Sequence, residues 1–197
     1  MNASALAENR AQRRAKERIA TRGGILEAAR RVAAREGARN LSLRAVAAEA
    51  GFAPAALYGY FQNKDDLLLA LAGDDLGTVA RAMRDAANGA ASGKLAAASG
   101  AAFDLLQKME TIAAAPSALS VAAGEGERLF NGRLIAALKA LSDASGKVLD
   151  SREAQADVVL IAAAITGLAV LARTGRLAAL GFKNEDVLAA LSRNFGG

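Results

Sequence analysis

The stretch GFAPAALYGYFQNKDDLL, Gly51 to Leu68, decides how the rest of the chain is read. Tyr58, Tyr60 and Phe61 fall within four residues, in a chain whose aromatics are 4% of 197 residues. Pro54 suits a first helical position, where its missing N–H would have no partner anyway. Phe52 and Leu57 stand where a hydrophobic staple around that start would place them. A short helix from Pro54 to Phe61 is therefore expected, with Leu57 and Phe61 four residues apart and facing inward. Tyr58 lies on another side and Tyr60 near the helix end, where a ring packs while its hydroxyl reaches outward. Asn63 is a natural cap for the next helix. Asp65 and Asp66 then occupy its first turn, where the helix dipole favours negative charge, so they read as capping rather than acid–base residues.

Upstream, a second short helix fits between Ser42, a good N-cap, and Gly51. Leu43, Val46, Ala47 and Ala50 repeat at i, i+3, i+4 and i+7, one apolar face. The link to Pro54 is three residues long and contains Gly51. Two short helices joined in this way make a helix-turn-helix. Before them, Thr21 to Glu36 reads as the first helix, with Ile25, Ala28, Ala29, Val32 and Ala33 as its inward stripe and Gly37 as its end. Gly23 and Gly24 weaken its first turn and suggest a hinge. Residues 1–20 read as a separate basic arm carrying Arg10, Arg13, Arg14, Lys16 and Arg18. Such an arm is a solvated tail when free and lies against phosphates or in a minor groove when bound.

Composition points the same way. The apolar content of 53% is alanine-rich, and strand signals are rare, so an all-α chain is expected. The sequence has no cysteine and no histidine, which removes disulfides, thiolate sites, imidazole ligands and histidine-based triads. No metal site or cofactor is expected. No paired carboxylates stand out, and Gly124–Gly126 is not a phosphate-binding loop. No secretory leader is visible, and the apolar run Val158–Val170 is too short to span a bilayer, so a cytoplasmic protein with no membrane partner is expected. The charge is uneven. Residues 1–64 hold 12 Lys/Arg against 5 Asp/Glu, a net +7, while the remainder carries −2. That asymmetry points to a polyanion partner at the N-terminal end.

The residues ILEAARRVAAREGARNLSLRAVAAEAGFAPAALYGYFQNKDDLLLAL, Ile25 to Leu71, resemble the TetR family of bacterial transcriptional regulators, with Leu57-Tyr58-Gly59-Tyr60-Phe61-Gln62-Asn63-Lys64 as the most specific part. The resemblance spans 47 residues, about a quarter of the chain. It implies a homodimer of all-helical subunits, each with a three-helix DNA-binding head and a larger C-terminal body for effector binding and dimerisation. The division is a basic arm over 1–20, a helix-turn-helix domain over 21–66 and a body over 67–197. The resemblance implies phosphate contacts at Ser42, Tyr58, Tyr60 and Lys64, Arg44 at the groove or its edge, and a recognition helix presenting Ala53, Pro54, Ala55, Ala56 and Gly59. The family often has Ser or Thr where this chain has Ala53 and Ala56. Alanine forms no hydrogen bond to a base edge, though it can meet a thymine methyl. Direct readout should then be thin, with specificity leaning on Arg44, on the arm (Arg10, Arg13, Arg14, Arg18) and on DNA shape.

The body reads as about five helices. Asp75–Ala87 continues or follows the helix begun at Asn63. Lys94–Ala115 is one long helix ended by Pro116, and Ser117–Ala123 a short one. Gly124 and Gly126 mark a loop before Glu127–Ser142. Glu153–Thr174 is apolar nearly all round and wants burial on two sides. Glu185–Phe195 ends the chain. Val158, Ile161, Ile165 and Leu168, with Val187, Leu188 and Leu191, are the expected dimer interface. An effector pocket is expected near Phe103, Leu106, Met109, Glu110, Ile112, Leu129, Phe130 and Leu134. The overall expectation is a homodimeric repressor on a palindromic double-stranded operator, released by a small apolar effector. The alternative is an architectural or protein-partnered DNA-binding regulator without an effector.

Overall fold

The computed structural model describes residues 3–109, 111–112 and 125–196, with side chains from Ala7 onward. The described residues hold helices and no strand: α1 Ala3–Glu36, a 3-10 turn Ala38–Asn40, α2 Leu43–Ala50, α3 Pro54–Leu57, α4 Lys64–Gly89, α5 Lys94–Leu106, α6 Glu125–Ser145, α7 Arg152–Arg173, α8 Arg176–Ala179 and α9 Asn184–Phe195. The expected helix Ser117–Ala123 and residue Glu110 lie outside the described residues.

Two apolar cores share α4. The first gathers the stripe of α1 (Ile25, Ala28, Ala29, Val32), Val46 and Ala47 of α2, Leu57 of α3, Phe61, and the first two turns of α4. The second joins Val79 and Met83 of α4 to Phe103 of α5, Leu141 of α6, Ile161 and Ile165 of α7 and Leu191 of α9. At 26 residues α4 is about 39 Å long, enough to run through both. The expected second half, Asp75–Ala87, is thus the continuation of one helix.

Where α4 meets α6, backbones approach closely. A Cβ on Gly73 would lie 3.1 Å from Phe130 Cα, and one on Gly126 only 2.5 Å from Asp66 O. Gly126 therefore belongs to the first turn of α6 rather than to a loop; the helix begins at Glu125.

Three further boundaries differ from the sequence expectation. α1 is a single 34-residue helix, so residues 3–20 are not a separate arm and Gly23–Gly24 are not a hinge. α3 stops at Leu57, and Tyr58–Tyr60 form a turn, which lets Gly59 and Phe61 turn back toward α1 and the core. α5 ends at Leu106 rather than running to Ala115, and the chain turns through Gln107–Met109 to bring the Thr111 hydroxyl onto Asp75.

α7 is 22 residues long with a mean hydropathy of 2.0 in its most apolar window, long and apolar enough to cross a bilayer by length and composition. The shorter run Val158–Val170 had suggested otherwise. Val158, Ile161 and Ile165 face inward and are at most 1% exposed, while Val159 and Leu160 are more than half exposed. The helix is apolar on two faces, and one of them fills the body's own core.

Candidate nucleic-acid interface and effector cavity

The head is built from local signals. Ser42 Oγ accepts from Ala45 N at 3.1 Å and starts α2. Gly51, at φ 74°, ends α2 in the left-handed region that glycine tolerates best. Three residues later Pro54 opens α3. Asn63 Oδ1 accepts from Asp66 N at 2.8 Å, and Asp66 returns a carboxylate oxygen to Gln62 N at 3.0 Å. The other Asp66 oxygen accepts from Gly126 N at 2.8 Å, so the cap of α4 also ties head to body. Asp66 is structural, as its position predicted, and Asp65 stands beside it in the first turn of α4.

This packing turns one surface outward. Ala53, Pro54, Ala55 and Ala56 are exposed along α3, and Tyr58 stands out at 62% exposure. Ser42 keeps a hydroxyl hydrogen free to donate, since its cap uses the oxygen as acceptor. Arg44 is exposed and has no ion-pair or hydrogen-bond partner among the described residues. The two tyrosines differ. Tyr60 is half-buried, packs on the head core and carries the Arg18 guanidinium over its ring, 4.9 Å from the centroid. Lys64 Nζ donates to Arg39 O at 2.5 Å and ties the start of α4 to the 3-10 turn.

Of the expected arm residues, Arg10, Arg13 and Arg14 are exposed on the N-terminal half of α1, and Arg13 pairs with Glu17 at 3.5 Å. Arg18, also exposed, instead reaches the head: Nη2 donates to Gly59 O at 2.7 Å. Arg22, which sequence reasoning did not single out, lies 5.1 Å over the Phe61 ring. Its spacing of four from Arg18 was the available signal.

A charged cluster joins α1 to α4 below the head. Arg30 Nε and Nη2 donate to Asp75 Oδ1 at 2.9 and 2.7 Å, Nη2 to Asp74 at 2.6 Å and Nη1 to Glu27 at 2.5 Å. Burial opposes the Arg30 charge, but its hydrogen bonds to the Asp74 and Asp75 carboxylates outweigh it and hold its pKa above the ordinary arginine value. The buried hydroxyl of Thr111 donates to the other Asp75 oxygen. On the outer side of α1, Glu49 of α2 accepts from Arg31 at 2.7 Å and Arg35 at 3.2 Å. Those two hydrogen bonds hold the Glu49 carboxyl below the usual glutamate range.

The body holds a partly open apolar cavity of about 120 Å³ between α4, α5, α6 and α7. Four expected pocket residues line it: Leu106, Ile112, Phe130 and Leu134. Phe103 does not; it is 1% exposed within the second core. Leu129 packs on the first core, and Met109 borders a small adjoining void. The residues missed include Leu76, Val79 and Met83, at i, i+3 and i+7 on α4, Leu138 and Leu141 of α6, and Ile165 of α7. Thr166 is the one polar residue in the lining among the described residues, and its hydroxyl hydrogen is already donated to Ala162 O at 2.8 Å. A lining this apolar suits an apolar guest.

The expected dimer residues need correction. Val158, Ile161, Ile165 and Leu191 are buried inside the subunit and cannot meet a second copy, because the subunit's own α4–α6 core covers that face. Leu168 and Leu188 are half-buried at the edge of the same core, and Val187 is half-buried beside Leu188 in the chain.

Residues 25–71 match the family model described as bacterial regulatory proteins, tetR family. The head is a tetR-family head. The match covers both helices of the helix-turn-helix, the Tyr58–Lys64 turn and the start of α4. Proteins of this family are DNA-binding transcription regulators, not enzymes. No curated protein matches the chain in sequence. The whole chain shares its fold with solved tetR-type structures. A TetR transcriptional regulator from Rhodococcus sp. RHA1 superposes with a TM-score of 0.65 at 20% identity, covering 90% of this chain and 94% of that one. A TetR-family transcriptional regulator from Streptomyces coelicolor gives 0.61 at 20%, covering 89% and 99%. FadR from Bacillus subtilis, solved in complex with stearoyl-CoA, gives 0.61 at 20%, covering 87% and 96%.

Proposed function

We propose that this protein is a cytoplasmic, homodimeric transcriptional repressor that binds a palindromic operator and is released by a small apolar effector. The observation that carries the DNA half of this reading is the outward surface of the tetR-type head. Ala53–Ala56 and Tyr58 are exposed, Arg44 is exposed and unpaired among the described residues, and Ser42 keeps a hydroxyl hydrogen to donate, all within the most basic third of the chain. Ser42, Tyr58 and Lys64 then position the head on phosphates, Arg44 reaches the groove edge, and Tyr60 acts mainly as a packed platform. Ala53, Ala55 and Ala56 offer only methyl groups to bases, so Arg44 and DNA shape carry much of the specificity.

The apolar cavity supports the effector half. Its volume of about 120 Å³ is near that of the ~150 Å³ engineered cavity that takes up benzene. The ligand class is therefore a compact apolar molecule, unless the body opens for a longer one. Leu76 and Ile112 line the cavity; their chain neighbours are Asp75, which holds Arg30 of α1, and Thr111, whose hydroxyl donates to Asp75. An occupant that displaces either wall moves the cluster that seats the head, and release follows if the displaced state fits DNA less well. For the dimer, the supporting feature is the uncovered face of α7, Val159, Leu160, Ala163, Gly167 and Val170, with exposed Leu180 and Phe182 next to it.

The small cavity also favours a second reading, a DNA-binding regulator without a small-molecule effector. The two separate in one experiment. Fluorescence anisotropy on a duplex selected from a randomised library measures affinity for wild type, Tyr58→Phe and Arg44→Ala, with and without benzene- to naphthalene-sized ligands. The proposed function requires sequence-selective binding that Arg44→Ala relaxes and that a ligand weakens. Selective binding indifferent to every ligand would leave the second reading.

A further inference from the structure

The N-terminal half of α1 is a helix with almost nothing packed on it. Every residue from Ala7 to Ala20 is exposed. Isolated helices of this length are marginal in water, so something must fix its direction. Its C-terminal continuation is buried in the head core, and two arginines staple the junction. Arg18 holds Gly59 O and covers Tyr60; Arg22 covers Phe61. The helix thus passes the turn that follows α3, at the edge of the outward surface.

Helical spacing makes the next step. Arg10, Arg14 and Arg18 are at i, i+4 and i+8, successive turns of one face. The face that touches Gly59 at Arg18 continues toward the N-terminus as Arg14 and Arg10, both without partners among the described residues. From Arg18 to Ala3 the helix runs about 22 Å at 1.5 Å per residue. That is about six base pairs at 3.4 Å each. The surface is not that of a membrane-lying helix: between Ala7 and Ala20, Ile19 is the one apolar side chain larger than alanine, so there is no apolar face to bury.

We propose that the N-terminal half of α1 is a rigid cationic strut, which Arg18 and Arg22 aim along the duplex beyond the head's half-site, where Arg10 and Arg14 bind backbone phosphates. This rests on the DNA-binding reading above and adds to it a defined reach and a requirement for helical order.

The test uses the full chain and a library-selected duplex in two lengths. One ends at the borders of the footprint of a chain lacking residues 1–17; the other adds eight base pairs of unrelated sequence at each end. Two phosphates per arm, four per dimer, add about 3.6 to the salt slope, so the advantage of the longer duplex should shrink about 150-fold between 50 and 200 mM salt. Arg10→Gln with Arg14→Gln should abolish that advantage and leave the short duplex bound as by wild type. Ala15→Pro keeps every charge but breaks the helix ahead of Arg18, and should abolish it too. If Ala15→Pro keeps the advantage, a flexible tail suffices and the strut is wrong. If wild type gains nothing from the longer duplex while binding the short one, the arm is idle and the proposal falls alone. Failure to bind either duplex overturns the DNA reading itself and the strut with it.

Discussion

Replacing Asp75 by alanine should destabilise the protein far more than the same change at its neighbour Asp74. The Asp75 side chain is 4% exposed and receives two hydrogen bonds from Arg30 and one from Thr111. Hydrogen bonds involving a charged group contribute about 1.5–3 kcal/mol each, and breaking a buried pair from one side costs about 3–5 kcal/mol. Arg30 would not be left bare, because its side chain is 27% exposed and keeps Asp74 and Glu27. The loss should therefore sit at the lower end, about 3 kcal/mol, with the stranded Thr111 hydroxyl included. For a chain of this size each kcal/mol lowers Tm by about 2–4 °C, so thermal unfolding by circular dichroism should move down by about 6–12 °C. Asp74, at 42% exposure, makes a single ion pair of the kind that contributes at most about 1 kcal/mol. Arg30→Met combined with Asp75→Leu removes both charges and should recover much of the lost stability, since buried pairs are often replaceable by apolar residues. An Asp75→Ala shift below about 2 °C, or one equal to that of Asp74→Ala, would refute the claim that this cluster ties α1 to α4.

Ala137→Leu points new methyl groups into the 120 Å³ cavity and should raise stability by about 0.5–2 kcal/mol while abolishing any ligand response; a drop in Tm would mean that the space is not free. Glu49 has its pKa lowered by Arg31 and Arg35, so its stabilisation is complete above the unfolded glutamate pKa and fades as pH falls through the lower folded value. Wild type should therefore lose more stability than Glu49→Gln on acidification through that window, and parallel pH–Tm curves would contradict this. Leu160→Glu places a charge on the uncovered face of α7 and should yield monomers by sedimentation without loss of helix; an unchanged dimer would put the interface elsewhere.

The head was legible in the sequence because its signals are local. Ser42, Gly51, Pro54 and Asn63 each act within four residues of their own position, and each sits in the structure where its chemistry placed it. What was not legible depended on partners distant in sequence. Two glycines at 23–24 cost helix about 1 kcal/mol each by propensity, but Arg18 and Arg22 are held by Gly59, Tyr60 and Phe61, some forty residues away. α7 has two apolar faces, and periodicity does not say which one meets the body; Ile161 and Ile165 went inward and Leu160 outward. The end of α5 at Leu106 carries no glycine or proline, so the pattern ran on toward Pro116. A cavity is a shortfall of volume among four helices, and its α4 wall, Leu76, Val79 and Met83, reads in sequence as ordinary core.

The most direct test of the account is the affinity of the intact protein for duplex DNA across a salt series, comparing a library-selected site with a scrambled duplex of equal length. A tetR-type regulator predicts a preference of at least about 10³-fold for the selected site at physiological salt, with log affinity falling linearly with log salt. A folded protein that binds both duplexes alike, or neither at low salt, would contradict it.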